Sequence, residues 1–132
     1  MVTKYKIMVK QNILIVDDSE TNLVLLEAIL EDDGFNVKTA YSTKEAEQTL
    51  KSYTPELILL DLLMPNENGF DLLRKLKAND HFKNIPIIIV TAFANLENKV
   101  IAKDLGAADV IEKPINIPDF IEKVYKALGK NQ

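Results

Sequence analysis

Apolar residues gather in five short runs, at positions 13–16, 37–40, 57–60, 87–90 and 110–111. Three of these are nearly unbroken: Ile13-Leu14-Ile15-Val16, Leu57-Ile58-Leu59-Leu60 and Ile87-Ile88-Ile89-Val90. Short, continuous aliphatic and β-branched runs suit strands covered on both faces, as in a parallel sheet. Between them the apolar positions change to helical spacing. Leu23, Leu26 and Leu30 form one stripe within 19–32, and Leu72, Leu73 and Leu76 another within 70–78. Leu96, Val100, Ile101 and Leu105 recur at the same period, and 119–128 carries Phe120, Ile121, Val124, Tyr125 and Leu128. The helix over 42–53 opens on Ser42-Thr43-Lys44-Glu45, the pattern of a capping box. Asn116 or Asp119 caps the last helix, with Pro118 in its first turn. Gly34 and Gly106 fall where helices end, and Pro65 and Gly69 fall in one polar loop.

Strand and helix therefore alternate five times. Such alternation predicts an α/β fold, a doubly wound parallel sheet with helices on both faces. Right-handed crossovers leave few topologies, and the flavodoxin-like (βα)5 order 2-1-3-4-5 is the natural one for five strands. The expected organisation is a tail over 1–11, one domain over 12–129 and a short frayed end over 130–132. A length of 132 residues fits one domain, and 47% apolar with 27% charged residues is ordinary for a folded chain. There is no Cys, which excludes disulfides, thiolate metal sites and a Cys nucleophile. A net charge of −4 argues against direct binding to nucleic acid. The run Ile7-Met8-Val9 is too short for a signal peptide, and nothing approaches the length of a membrane span. The expected location is cytoplasmic, without membrane insertion.

In open α/β sheets the chemistry lies beyond the carboxyl ends of the strands. Asp17 and Asp18 follow the first run, Asp61 the third, Thr91 the fourth, and Lys113-Pro114 the fifth. Taken singly each has a bland reading: Asp17-Asp18 near a helix start with Ser19 as its cap, Asp61 opening a turn, Thr91 ending a strand, Lys113 in solvent. Their conjunction at one sheet edge is what points to function. Three carboxylates brought together repel, and a hard divalent cation such as Mg²⁺, with Mn²⁺ as an alternative, is the obvious partner. With a hydroxyl at Thr91 and an ammonium at Lys113, the set makes a place for a phosphoryl group, and Asp61 is its candidate acceptor. Neutralising Asp17 or Asp18 is then expected to stabilise the metal-free protein.

These residues carry a resemblance to the receiver domains of two-component response regulators, spanning 13–128. It rests on Ile13-Leu14-Ile15-Val16-Asp17-Asp18, on Leu60-Asp61-Leu62-Leu63-Met64-Pro65 followed by Gly69, on Val90-Thr91-Ala92, and on Gly106-Ala107-Ala108-Asp109 leading to Lys113-Pro114. The successive separations between Asp17, Asp61, Thr91 and Lys113 are 44, 30 and 22 residues. The resemblance implies Asp61 as phosphoacceptor, Asp17, Asp18, Asp61 and the Leu63 backbone carbonyl as Mg²⁺ ligands, and Thr91 and Lys113 as phosphoryl-binding and switch residues. It implies a cis peptide before Pro114. It also implies a sensor histidine kinase or histidine phosphotransfer protein as donor, and a downstream protein target. The switch position three residues before the lysine, commonly aromatic in the family, is Val110 here. Leu63 and Phe93 stand where residues tune loss of the phosphoryl group, and neither can orient a water.

Two other classes fit the residues less well. A haloacid-dehalogenase-type phosphatase needs a second Asp two residues after the nucleophile, where this chain has Leu63. A flavodoxin-like cofactor carrier needs a phosphate loop after the first strand, where Asp17-Asp18 would repel the phosphate. Within the receiver class, a stand-alone protein and a piece of a longer regulator or hybrid kinase both remain open. His81 lies in a polar segment and is not expected to carry a phosphoryl group. The face with Val100, Lys103, Asp104 and Glu112 serves partners or is plain surface, and oligomeric state has no sequence signal.

Overall fold

A computed structural model describes residues 10–64 and 67–130. The lysines and apolar run of the first nine residues, and Pro65, lie outside the described residues. Five parallel strands make the sheet: β1 (Asn12–Val16), β2 (Asn36–Ala40), β3 (Leu57–Leu60), β4 (Ile87–Thr91) and β5 (Asp109–Glu112). Their order is 2-1-3-4-5, as expected, and every pairing is parallel. Five helices alternate with them: α1 (Glu20–Asp32), α2 (Thr43–Leu50), α3 (Gly69–Lys77), α4 (Leu96–Asp104) and α5 (Ile117–Ala127).

The sheet separates two apolar layers, and the alternation of each strand feeds both. Leu14, Val16, Ile58, Leu60, Ile87, Ile89 and Val110 pack with α2, α3 and α4. Ile13, Ile15, Leu57, Leu59, Ile88, Val90 and Ile111 pack with α1 and α5. Both faces are covered, which is why β1, β3 and β4 read as continuous apolar runs. Removing a fully buried Leu or Ile from either layer costs about 2–5 kcal/mol.

The helix starts follow the sequence. Ser19, Ser42, Asn68, Asn95 and Asn116 are the N-caps, each accepting a hydrogen bond from a backbone N–H in the first turn. Glu45 departs from the strict capping box, because its carboxylate accepts from the Tyr41 N–H at 3.0 Å, one residue before the cap. One further expectation is corrected. The segment before α3 is not a plain polar loop: Leu63–Met64 pairs antiparallel with Glu67–Asn68, and the helix begins at Gly69 itself. Gly129, at φ +71°, lets Lys130 N–H donate to the Tyr125 carbonyl at 2.8 Å and close α5. Of the apolar positions over 96–105, Leu105 packs against the layer of α2, α3 and α4, while Leu96 is 78% and Val100 50% exposed.

Candidate functional site

The carboxyl ends of β1, β3, β4 and β5 meet at one edge because parallel pairing holds them in register there. Val16 lies opposite Leu60, so Asp17 and Asp61 leave adjacent strands side by side. Asp61 N–H donates to the Val16 carbonyl at 3.0 Å, extending that ladder by one residue. Thr91 pairs with Glu112, and Lys113 N–H donates to the Thr91 carbonyl at 2.9 Å, which brings Lys113 to the same edge.

Among the described residues, Asp17, Asp61 and Thr91 are the buried polar or charged side chains, and all three stand here. Carboxylate oxygens of Asp17, Asp18 and Asp61 lie within 4.8 Å of one another, with Asp18 exposed and the other two buried. The Lys113 ammonium donates to Asp17 Oδ2 at 2.7 Å and reaches Asp61 Oδ2 at 3.4 Å. Asp17 also accepts from the Ser19 N–H at 2.9 Å, tying it to the start of α1. One cation thus faces three anions, an imbalance that hard oxygen donors for a divalent ion would carry. Burial pushes the Asp61 carboxyl above its ordinary range, and the charge of Asp17 adds to that. The Lys113 charge and the hydroxyl of Thr91 oppose it.

The backbone around Asp61 is held from below by Gly69. A Cβ there would sit 2.2 Å from the Asp61 carbonyl oxygen and 2.8 Å from Leu62 Cα. Only glycine admits this approach, and Gly69 N–H uses it to donate to the Leu62 carbonyl at 2.7 Å. Across the site, the Thr91 hydroxyl accepts from the Phe93 N–H at 3.2 Å, and the Phe93 carbonyl accepts from Asn98 Nδ2 at 2.7 Å. Leu63 and Phe93, on the segments after Asp61 and Thr91, are 47% and 53% exposed. Val110 is buried among the layer of α2, α3 and α4, on the strand that ends at Lys113. The Lys113–Pro114 peptide is cis. Reading residues alone missed Glu67, whose carboxylate binds Thr43, and the Asn98 contact to Phe93. Both pairings depend on loop geometry, and the only available signal was a polar residue in each loop.

A parallel sheet that gathers three carboxylates, a hydroxyl and a lysine at one edge is consistent with the phosphoacceptor site of a receiver domain. The chain belongs to the response regulator receiver domain family, whose model matches residues 13–125. Such domains are signalling phosphoacceptors rather than enzymes in the ordinary sense, and they partner histidine kinases or histidine phosphotransfer proteins. The chain is 33% identical over 119 residues to the polar-differentiation response regulator DivK of Brucella anthropi, covering 90% of this chain and 97% of that one. It is 36% identical over 116 residues to a probable cyclic di-GMP phosphodiesterase of Vibrio cholerae, covering 88% of this chain. The match spans only 26% of that larger protein. Among solved structures, a CheY-like receiver domain protein from Methanospirillum hungatei superposes with a TM-score of 0.85 at 33% identity, over 92% of this chain and 95% of that one. Among the described residues, no helix is long and apolar enough to cross a membrane.

Proposed function

We propose that this chain accepts a phosphoryl group on Asp61 from a phosphohistidine of a sensor histidine kinase or histidine phosphotransfer protein. An Asp61 carboxylate oxygen forms the new bond to phosphorus as the bond from phosphorus to the imidazole nitrogen breaks. The imidazole leaves and takes a proton from solvent, and the product is an aspartyl phosphate. The observation that carries the reading is the convergence of Asp17, Asp18 and Asp61 within 4.8 Å, with Lys113 bonded to two of them.

Asp17, Asp18, Asp61 and the backbone carbonyl of Leu63 would hold Mg²⁺, or Mn²⁺ in its place. When bound, the ion supplies charge neutralisation at the transferred oxygens. Lys113 stands beside the acceptor oxygen, placed to pair with the added negative charge. The Thr91 hydroxyl donates a hydrogen bond to the phosphoryl group, and the loop after Thr91, bonded to the hydroxyl oxygen through the Phe93 N–H, moves with it. Val110 has no ring to follow, so the change reaches the surface of α4, β5 and α5 through that loop. There it alters the binding of a downstream protein target. Leu63 and Phe93 present apolar groups beside the site and orient no attacking water, which favours a long-lived phosphorylated state.

The test is intact mass after incubation with Mg²⁺ and acetyl phosphate, for the parent and for Asp61→Asn. Addition of one phosphoryl group to the parent alone is expected. Addition to both would move the acceptor elsewhere. No addition, repeated with a phosphohistidine donor, would overturn the reading. Amide spectra of the two states should differ over residues 91–96 and along α4. Identical spectra there would remove the switch while leaving the transfer.

A further inference from the structure

The segment between the candidate acceptor and α3 is held at its far end by one side chain. Glu67 lies opposite Met64 in the short antiparallel pair, next to the Leu63 and Asn68 pair. Its carboxylate leaves this segment and reaches the start of α2, twenty-four residues back in the chain. There it takes three contacts from a single residue. The Thr43 N–H donates to Oε1 at 3.1 Å and to Oε2 at 3.2 Å, and the Thr43 hydroxyl donates to Oε1 at 2.7 Å. Thr43 is the first residue of α2, so the carboxylate meets an N–H with no partner inside the helix, at the positive end of the helix dipole. A charge-assisted contact of this kind is about twice as strong as a neutral one.

The near end of the segment is fixed separately. Gly69 N–H binds the Leu62 carbonyl, and Asn68 caps α3 by accepting from the Phe70 N–H at 2.8 Å. Met64 is buried beneath, in the layer of α2, α3 and α4. Leu63 is half exposed and contributes little packing of its own. The position of the backbone at Leu63 therefore depends on the two-residue ladder, and the ladder's far strand is anchored to α2 through Glu67.

We propose that Glu67 is a positioning residue: by clamping the Glu67–Asn68 strand, paired with Leu63–Met64, to Thr43 at the start of α2, it sets the Leu63 backbone and Asp61 for cation and phosphoryl uptake. This inference rests on the phosphoacceptor reading of the site. Glu67 itself does not join the acidic group. The carboxylates that gather within 4.8 Å are those of Asp17, Asp18 and Asp61. The clamp thus keeps a nearby acid occupied at α2 and joins two loops at the same sheet edge, one after β2 and one after β3.

The experiment compares the full chain with Glu67→Ala, Glu67→Gln and Thr43→Val in two arms. In the first, without metal, hydrogen exchange is followed amide by amide. Exchange at Thr43 and over 62–69 should rise tenfold or more in Glu67→Ala, with β5 and α5 unchanged. In the second, Mn²⁺ binding is read by the signal of free Mn²⁺, and phosphorylation by acetyl phosphate with Mg²⁺ is timed by intact mass. Half-saturation by Mn²⁺ should rise three- to tenfold in Glu67→Ala, and the rate at saturating Mg²⁺ should fall by a similar factor. Glu67→Gln, which keeps an oxygen for the Thr43 donors, should recover most of both, and Thr43→Val should fall between. Unchanged exchange over 62–69 overturns the clamp whatever the second arm shows. Faster exchange with unchanged Mn²⁺ affinity and rate reduces Glu67 to a structural contact and overturns the positioning role. A parent that takes up neither metal nor phosphoryl group overturns the phosphoacceptor reading and the functional half of this inference with it, and the exchange arm then still decides the clamp.

Discussion

Replacing Asp61 with Asn should stabilise the metal-free protein, although it removes one partner of Lys113. Two carboxylates within 4.8 Å repel by about 3.5 kcal/mol at an effective dielectric of about 20. The ammonium of Lys113, 3.4 Å from Asp61, offsets this with about 5 kcal/mol on the same basis. Taking the carboxylate out of water then costs several kcal/mol more. Burial and Asp17 together outweigh Lys113 and Thr91, since the carboxyl titrates above its ordinary range. The balance favours a neutral side chain by about 1–2 kcal/mol. Lys113 keeps Asp17 at 2.7 Å in the variant, so no buried cation is left alone.

The assay is urea unfolding in EDTA. With a slope of about 2 kcal/mol per molar, the midpoint should rise by about 0.5–1 M at neutral pH. The pH dependence gives an independent check. The folded-state pKa of Asp61 is raised above its ordinary 3.8, so the folded state holds that proton more tightly than the unfolded chain. Its contribution to stability is fully present below about pH 4 and is lost as pH rises through the raised folded value. The advantage of the Asp61→Asn variant should therefore be largest at neutral pH and close in acid. A midpoint at or below the parent's, or a gap that does not change with pH, would mean that Lys113 compensates the site without a cation. That outcome would refute the electrostatic reasoning.

Four further outcomes are expected. Mg²⁺ at a hundredfold over its dissociation constant should stabilise the parent by about 2.7 kcal/mol and do little for Asp18→Asn, read by the same urea curves. The two acidic neighbours should also differ in EDTA: Asp18→Asn, at an exposed position, raises the midpoint, whereas Asp17→Ala strips Lys113 and the Ser19 N–H of a buried partner and costs about 3–5 kcal/mol. Gly69→Ala should cost about 1–3 kcal/mol or more in urea and shift the Asp61 and Leu62 amides, because its Cβ meets backbone rather than a flexible side chain. Leu63→Asn and Phe93→Glu should each hasten loss of the phosphoryl group, timed by intact mass after the donor is removed, and unchanged decay in both would remove their tuning role.

The strands β1, β3 and β4 were legible because they are buried on both faces, so burial alone writes them as apolar runs. Alternation and handedness narrowed the strand order to a few topologies without fixing it. The convergence of Asp17, Asp61, Thr91 and Lys113 was legible for the same reason: each is the first chemical group beyond a strand whose end is fixed by register. The difference between Asp17 and Asp18 was not. Adjacent in sequence, one is buried under Lys113 and the other is exposed, and only the direction of the chain leaving β1 separates them. Gain on neutralisation is therefore expected at Asp18, whereas Asp17 carries the contacts of Lys113 and the Ser19 N–H. The outward turn of Leu96 and Val100 was hidden because helical period shows that a face exists, not which way it points. The pairing of Leu63–Met64 with Glu67–Asn68 was hidden because two-residue strands carry no alternation to read.

The close approach of Gly69 to Asp61 makes the two sides of the site mechanically unequal. On one side the backbone is bonded to β1, to α3 and, through Glu67, to α2, and a single added methyl group would not fit. On the other, the Thr91 hydroxyl faces Asp61 and accepts from the Phe93 N–H, in a loop tethered by one asparagine amide and by the buried Ala94. We expect a perturbation at the centre to be taken up on the less tethered side, toward residues 92–98 and α4, with the other wall as the reference against which the displacement is measured.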